Sequence, residues 1–208
     1  MTTPLFRILV VEDDPIIAED IVLTLQELGY RVAARASNAE QAIALLEERL
    51  PDLVILDIDL GGGRNGIYLG GVINREYRIP FIYLTALSDI TTLHEVKKTL
   101  PAGFVLKPFD ENRLRAAIEI ARHNYYSVIR SHLGHLEDIN RTLPEALTQR
   151  ELELLRLLCS GKTNQELADE LFISINTIKT HLKNLFLKMD VESRAEAIIK
   201  VQQFLQKA

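Results

Sequence analysis

Five short stretches in the first part of the chain are almost continuously apolar, and longer stretches with apolar residues every three or four positions lie between them. The apolar stretches are Arg7-Val11, Arg31-Ala36, Leu53-Asp57, Phe81-Thr85 and Gly103-Leu106. A strand covered on both faces is apolar throughout, whereas a half-exposed strand alternates. The pattern therefore predicts a parallel sheet with helices on both faces. Local signals bound those helices. Asp14 can cap the first, with Pro15 in its first position and Gly29 past its end. Ser37 and Glu40 have capping-box spacing ahead of a second helix that runs towards Arg49, after which Pro51-Asp52 stops the chain. A further helical pattern runs from Glu111 to about Arg130.

The rhythm then changes. Residues 131–144 mix Gly, His, Asn and charges with a few leucines, the composition of a partly helical linker. Beyond Leu147 the pattern predicts four short helices. Three open on capping boxes, Thr148/Glu151, Thr163/Glu166 and Ser193/Glu196, and one on Ser174. Short helices joined by tight turns predict a small all-helical domain.

Composition adds boundaries to this picture. A chain of 208 residues can bury two cores. No apolar run approaches the ~20 residues that span a bilayer, and the amino-terminal residues lack a basic segment followed by an apolar one, so a cytoplasmic protein without a membrane partner is expected. Cys159, the single cysteine, can form no internal disulfide and is expected to be a buried structural thiol. Residues 144–208 hold nine Lys/Arg and nine Asp/Glu, so the net charge of -5 resides upstream. The carboxyl-terminal part can approach a polyanion if its cations share a face.

Candidate chemistry sits at the ends of the predicted strands. Glu12-Asp13-Asp14 closes the first and Asp57 the third. Ligands of parallel sheets bind at that carboxyl edge, and carboxylates gathered there repel one another unless they hold a hard cation such as Mg2+. Thr85-Ala86 ends the fourth run and Lys107-Pro108 follows the fifth. With these residues in this order, residues 5–125 resemble a two-component receiver domain. The resemblance implies a five-stranded, doubly wound, flavodoxin-like α/β fold. It also implies that Asp57 takes a phosphoryl group from a sensor histidine kinase or phosphotransfer protein. Glu12, Asp13, Asp57 and the backbone carbonyl of Asp59 would hold Mg2+, Lys107 and Thr85 would contact the phosphoryl oxygens, and a cis peptide would precede Pro108. Phe104 takes the place of the family's switch aromatic, although plain core packing is an equal alternative, and Asp59 and Leu87 stand where the family tunes phosphate lifetime. Gly61-Gly62-Gly63 lacks the Gly-Lys-Ser/Thr of a P-loop and reads as a flexible loop. Asn65-Gly66 stands where the family more often has Asp-Gly.

After a linker at 126–143, residues 144–208 resemble a LuxR/FixJ-type helix-turn-helix domain. The matching stretches are Leu147 to Glu151, Gly161 to Ala168 and Ser174 to Leu182. In the candidate recognition helix, Ile175, Ile178, Leu182, Leu185 and Met189 form one apolar stripe. Thr177, Lys179, Thr180, Lys183, Asn184 and Lys188 lie off it. Lys179 and Lys183 suit guanine edges or phosphates and Thr180 suits thymine methyls, while Thr163, Asn164, Gln165, Ser174 and Asn176 suit phosphate positioning or helix entry. The resemblance further implies that Ala197, Ile198, Val201 and Leu205 on the last helix pair two copies on double-stranded DNA, although core packing explains some of them. His181, or His132 with His135, lacks the further ligands a metal site needs.

The expected protein is thus a phosphorylation-controlled, homodimerising DNA-binding regulator of transcription, with no enzyme activity beyond turnover of its own phosphate. Two alternatives remain open at this point. One is a DNA-binding regulator whose receiver is only a scaffold, and the other a haloacid-dehalogenase-type phosphatase using Asp57-Ile58-Asp59.

Overall fold

The computed structural model describes residues 6–61, 65–86, 90–130 and 133–205, apart from the side chains of 90–93 and 135. The chain divides into two compact units at 122/123.

The first unit contains β1 (Arg7–Val11), β2 (Arg31–Ala36), β3 (Leu53–Asp57), β4 (Phe81–Thr85) and β5 (Gly103–Leu106), the five strands the sequence predicts. They form one parallel sheet in the order β2-β1-β3-β4-β5. The chain moves outward from β1 to β2 and then returns across β1 to β3. That reversal opens a crevice beyond the carboxyl ends of β1 and β3. Every residue of β3 and β4 is buried, which accounts for their unbroken apolar runs.

Helices α1 (Pro15–Glu27), α2 (Ala39–Glu48), α3 (Gly66–Val72), α4 (Ile90–Lys98) and α5 (Glu111–Arg130) intervene or follow. Asp14 caps α1 as expected, accepting from the N–H groups of Ile16 and Ile17 at 2.8 and 3.2 Å. The chain leaves α1 through Gly29 at φ 81°. The expected Ser37/Glu40 box is displaced by one residue. Asn38 is the cap and accepts from Gln41 N–H at 2.9 Å, while Gln41 Oε1 accepts from Ser37 N–H at 2.8 Å. Asn38 is as good a cap as serine, and its extended backbone lets Ala39 begin the helix. α3 continues into a π-helical turn, Ile73–Tyr77, that ends on Arg78 in the left-handed region.

The second unit begins inside α5. Tyr126 and Ile129 from the end of that helix, with Leu133, Leu136 and Ile139 from a 3-10 segment (Leu133–Arg141), are core residues. The stretch expected as a linker therefore supplies part of this unit's interior. Asn140 clamps this segment to Leu147, donating to its carbonyl at 3.1 Å and accepting its N–H at 2.9 Å. Helices α6 (Gln149–Leu158), α7 (Asn164–Leu171), α8 (Ile175–Met189) and α9 (Arg194–Leu205) complete the unit. Both predicted boxes on α6 and α7 are formed. At α9 the Glu196 carboxylate reaches the Ser193 hydroxyl and the Glu192 N–H, both at 2.8 Å.

Two positions in this core make sharp predictions. Gly161 lies at φ 81°, and a Cβ there would stand 2.4 Å from Tyr126 Cδ2. Gly161→Ala combines left-handed strain with overpacking, and we expect it to cost about 2–4 kcal/mol in urea unfolding; an unchanged midpoint would mean that the Tyr126 ring does not occupy this socket. Cys159 is wholly buried, and burial pushes its thiol up to about 12 despite the nearby Arg194 charge. Iodoacetamide at pH 8 is expected to spare Cys159 in the folded protein and to label it in urea, as read by intact mass.

Candidate functional site

Strand register assembles the first candidate site. Val11 pairs with Leu56, so the next step on each strand sets Glu12 beside Asp57. Asp57 in turn pairs with Leu84, and Thr85 with Leu106, which leaves Lys107 at the end of β5. The Lys107 N–H donates to the Thr85 carbonyl at 2.8 Å. The Lys107-Pro108 peptide is cis, as the resemblance implies.

The side chains converge. Lys107 Nζ donates to Glu12 Oε2 at 2.6 Å and to Asp57 Oδ2 at 2.8 Å. Glu12, Asp57 and Thr85 are all buried, with Asp57 5% exposed, whereas Asp13 is exposed and accepts the Gly61 N–H at 3.0 Å. Glu12, Asp13 and Asp57 each offer an oxygen within 4.8 Å of the others, a set of hard donors that fits a small divalent cation. Burial, reinforced by the Asp57 charge, holds the Glu12 carboxyl above the usual carboxylate range against the opposing pull of Lys107. Burial also works against charge on Lys107, but the hydrogen bonds to Asp57 and Glu12 outweigh it and raise the ammonium above the ordinary lysine value.

Two other expected residues have exposed side chains. Asp59 is exposed. Phe104, for which core packing was an equal expectation, is 55% exposed. β5 is an edge strand that buries only Val105, so Phe104 and Leu106 share its open face. Leu87, Gly62, Gly63, His132 and the His135 side chain lie outside the described residues. Gly66 has a role that sequence reasoning did not assign. A Cβ there would fall 1.9 Å from the Asp57 carbonyl oxygen, and the Gly66 N–H donates to Ile58 O at 2.9 Å. Asn65-Gly66 signalled a turn, but not that the backbone must press against the acidic site.

The second candidate site is the surface of α8. Ser174 caps the helix, accepting the Thr177 N–H at 3.1 Å. Ile178, Leu182, Leu185, Phe186 and Met189 are buried, and Ile175 is half-buried. Asn176, Thr177, Thr180, Lys183 and Asn184 are exposed and Lys179 is half-buried. Among the described residues Lys179 and Lys183 make no ion pair. Lys188 differs, because Glu145 and Glu151 hold its ammonium at 3.0 Å each. Those two carboxylates balance its charge, so it is less available to DNA than Lys179 or Lys183. Asn164, expected at phosphates, is buried at 3% exposure, while Thr163 is committed to its capping box and Gln165 is exposed. Nor do Ala197, Ile198 and Val201 form a dimer surface. All three are buried in the core of their own unit, and Leu205 packs against it, because that side of α9 closes the domain.

Comparison with known proteins agrees with both halves. Residues 8–119 match the model of the response regulator receiver domain, and residues 145–201 that of bacterial regulatory proteins of the luxR family. The chain is 30% identical over 204 residues to the transcriptional regulatory protein LiaR of Bacillus subtilis (strain 168), covering 94% of this chain and 96% of that protein. It is 28% identical over 199 residues to the probable transcriptional regulatory protein NarL of Mycobacterium tuberculosis (strain ATCC 25618 / H37Rv), covering 92% and 91%. Among solved structures, a LuxR-family two-component response regulator from Aurantimonas sp. SI85-9A1 superposes with a TM-score of 0.51 at 29% identity, over 57% of this chain and 84% of that one. RcsB of Salmonella enterica serovar Typhimurium, bound to promoter rprA, covers 95% and 98% with a TM-score of 0.51 and 23% identity, a likeness of fold. With residues 8–119 and 145–201 matching these two models and a 30% identical relative covered over almost its whole length, the chain belongs to the LuxR family of DNA-binding two-component response regulators.

Proposed function

We propose that Asp57 is the phosphoryl acceptor of this regulator and that its phosphorylation controls DNA binding by α8. The observation that carries the proposal is the Lys107 ammonium, which lies 2.8 Å from Asp57 and 2.6 Å from Glu12 at the switch point of the sheet. An Asp57 oxygen attacks the phosphorus of a phosphohistidine on a sensor histidine kinase or phosphotransfer protein. An O–P bond forms, the P–N bond breaks, and the imidazole leaves. Lys107 supplies positive charge to the incoming phosphoryl oxygens and Thr85 a hydroxyl. Glu12, Asp13 and Asp57, with the backbone carbonyl of Asp59, would hold Mg2+, which neutralises charge on the transferring group.

The phosphoryl group then shifts an existing equilibrium towards the form that pairs on DNA, because a modification moves a population only through differential stabilisation. Asn176, Thr177, Lys179, Thr180 and Lys183 would face the major groove, with Ser174 placing the helix amino terminus there. Gln165, with Thr163 at the α7 cap, would meet phosphates. The exposed part of α9, rather than its buried Ala197-Ile198-Val201 side, is left for pairing two copies. The Asp57-Ile58-Asp59 triplet follows the third strand and not the first, and the relatives are named as regulators, which disfavours a phosphatase.

Incubation with Mg2+ and acetyl phosphate should add one phosphoryl group to the wild type and none to Asp57→Ala, as read by intact mass; the same added mass on both proteins would place the acceptor elsewhere. Wild type so treated should bind operator DNA more tightly than Asp57→Ala, and equal binding would favour a receiver that is only a scaffold. Lys179→Ala and Lys183→Ala should each weaken DNA binding with the fold retained and lower the slope of affinity against salt by about one. Lys188→Ala should leave that slope unaltered.

A further inference from the structure

We infer that Tyr83 is a positioning residue whose buried hydroxyl carries one proton between two acceptors, the Thr99 hydroxyl just past α4 and the Gly66 carbonyl at the start of α3, and so couples α4 to the backbone beside Asp57.

Tyr83 is fully buried in β4, and its Oη lies 3.0 Å from Thr99 Oγ1 and 3.5 Å from the Gly66 carbonyl oxygen. Thr99 Oγ1 donates to Val96 O at 2.7 Å. A threonine hydroxyl has one proton. With that proton on Val96 O, Thr99 accepts from Tyr83, and Gly66 O is left at the outer limit of hydrogen bonding. The alternative is equally well formed in count, with Thr99 donating to Tyr83 and Tyr83 donating to Gly66 O. Val96 O keeps the Thr99 N–H at 3.1 Å in either arrangement. Burial pushes the Tyr83 phenol up to about 12, so the hydroxyl keeps its proton at neutral pH.

The surroundings leave little slack. The Tyr83 ring meets Phe81 edge-on with centroids 5.3 Å apart, and a Cβ at Gly70 would lie 2.1 Å from Tyr83 Oη. α3 therefore lies directly over the hydroxyl. Gly66 is fixed from the other side by its hydrogen bond to Ile58 and by the closeness of the Asp57 carbonyl. A change in which acceptor takes the Tyr83 proton is thereby a change in how firmly the α3 start is held against the acidic site.

Two substitutions separate this relay from mere packing, because the relay predicts opposite signs. Tyr83→Phe keeps the ring and deletes the proton, so amide exchange at Leu69 and Gly70, in the first turns of α3, should quicken about two- to tenfold, the range expected for one hydrogen bond. Thr99→Val removes the competing acceptor, releases the Tyr83 proton to Gly66 O, and should slow exchange at the same amides. Packing alone would quicken both, and that result, or no change in either, overturns the inference. This arm uses the unphosphorylated full chain and stands whether or not Asp57 is the acceptor. A second arm rests on that reading. After acetyl phosphate, the mass increment should decay faster in Tyr83→Phe than in wild type, since a looser α3 start admits water. Equal decay overturns the role at the acceptor while leaving Asp57 in place, whereas absence of any increment in wild type would count against Asp57 itself.

Discussion

Carboxylates on neighbouring strands repel one another, and in the receiver unit Lys107 offsets that repulsion by donating to Glu12 at 2.6 Å and to Asp57 at 2.8 Å. The arrangement is demanding because the partners come from three strands. β1 must pair with β3 so that Glu12 and Asp57 are level, and β5 must pair with β4 so that Lys107 follows the Thr85 step. A slip of one residue in the β1–β3 pairing would turn a carboxylate to the wrong face of strands buried on both sides. The cost of leaving one member of such a buried group uncompensated is several kcal/mol, a large part of the net stability of a domain. The apolar runs of β1, β3 and β4 supply the burial that makes the register costly to violate, and the register supplies the site.

Most of this was legible in the sequence because it depends on local rules. Continuous apolar runs mark strands covered twice, as in β3 and β4, and all five predicted strands appear with the predicted bounds although β2 and β5 are only partly covered. Caps with one strong candidate, such as Asp14, Thr148 and Thr163, are formed as written. Where two adjacent residues were both good caps, as at Ser37 and Asn38, spacing alone chose wrongly. The other failures share a different cause, namely contacts between segments distant in sequence. Nothing near Gly66 announces the Asp57 carbonyl, and nothing near Lys188 announces Glu145 and Glu151. The apolar side of α9 could equally have been a dimer face or a core face, since both need the same residues. Phe104 was ambiguous for a similar reason, because an edge strand's uncovered face depends on what packs there.

The helix-turn-helix unit shows how one helix can serve two masters. α8 commits Ile178, Leu182, Leu185 and Met189 to the core and leaves Asn176, Thr177, Thr180 and Lys183 outside. A cation already paired with carboxylates must exchange those partners, each exposed pair being worth about 0–1 kcal/mol, to approach a phosphate, whereas an unpaired one need not. Lys183, exposed and in no ion pair among the described residues, has its charge available to a polyanion, while Lys188 places its own between Glu145 and Glu151 of the α6 capping box region. Neutral overall charge in residues 144–208 is therefore no obstacle to DNA. What matters is which cations are free and whether they share a face.

Magnitudes constrain how phosphorylation at Asp57, as proposed, would act on the receiver unit. Moving a two-state equilibrium from one part in a hundred to the reverse needs about 5.5 kcal/mol of differential stabilisation. A neutral hydrogen bond contributes about 0.5–1.5 kcal/mol and a charge-assisted one about 1.5–3 kcal/mol. The Tyr83 tie alone is too weak to be the switch, and the Lys107 contacts alone fall near the threshold only if both are remade. A receiver that switches fully must therefore change several contacts together: Lys107 with its two carboxylates, the Thr85 hydroxyl, and the α3 start held by Gly66. These groups are suited to concerted change because each is anchored to another. Lys107 N–H holds Thr85 O, Asp57 abuts Gly66, and Tyr83 sits between Gly66 and Thr99. A phosphoryl group on Asp57 would disturb the first link in that chain, and close packing favours movement of the others with it.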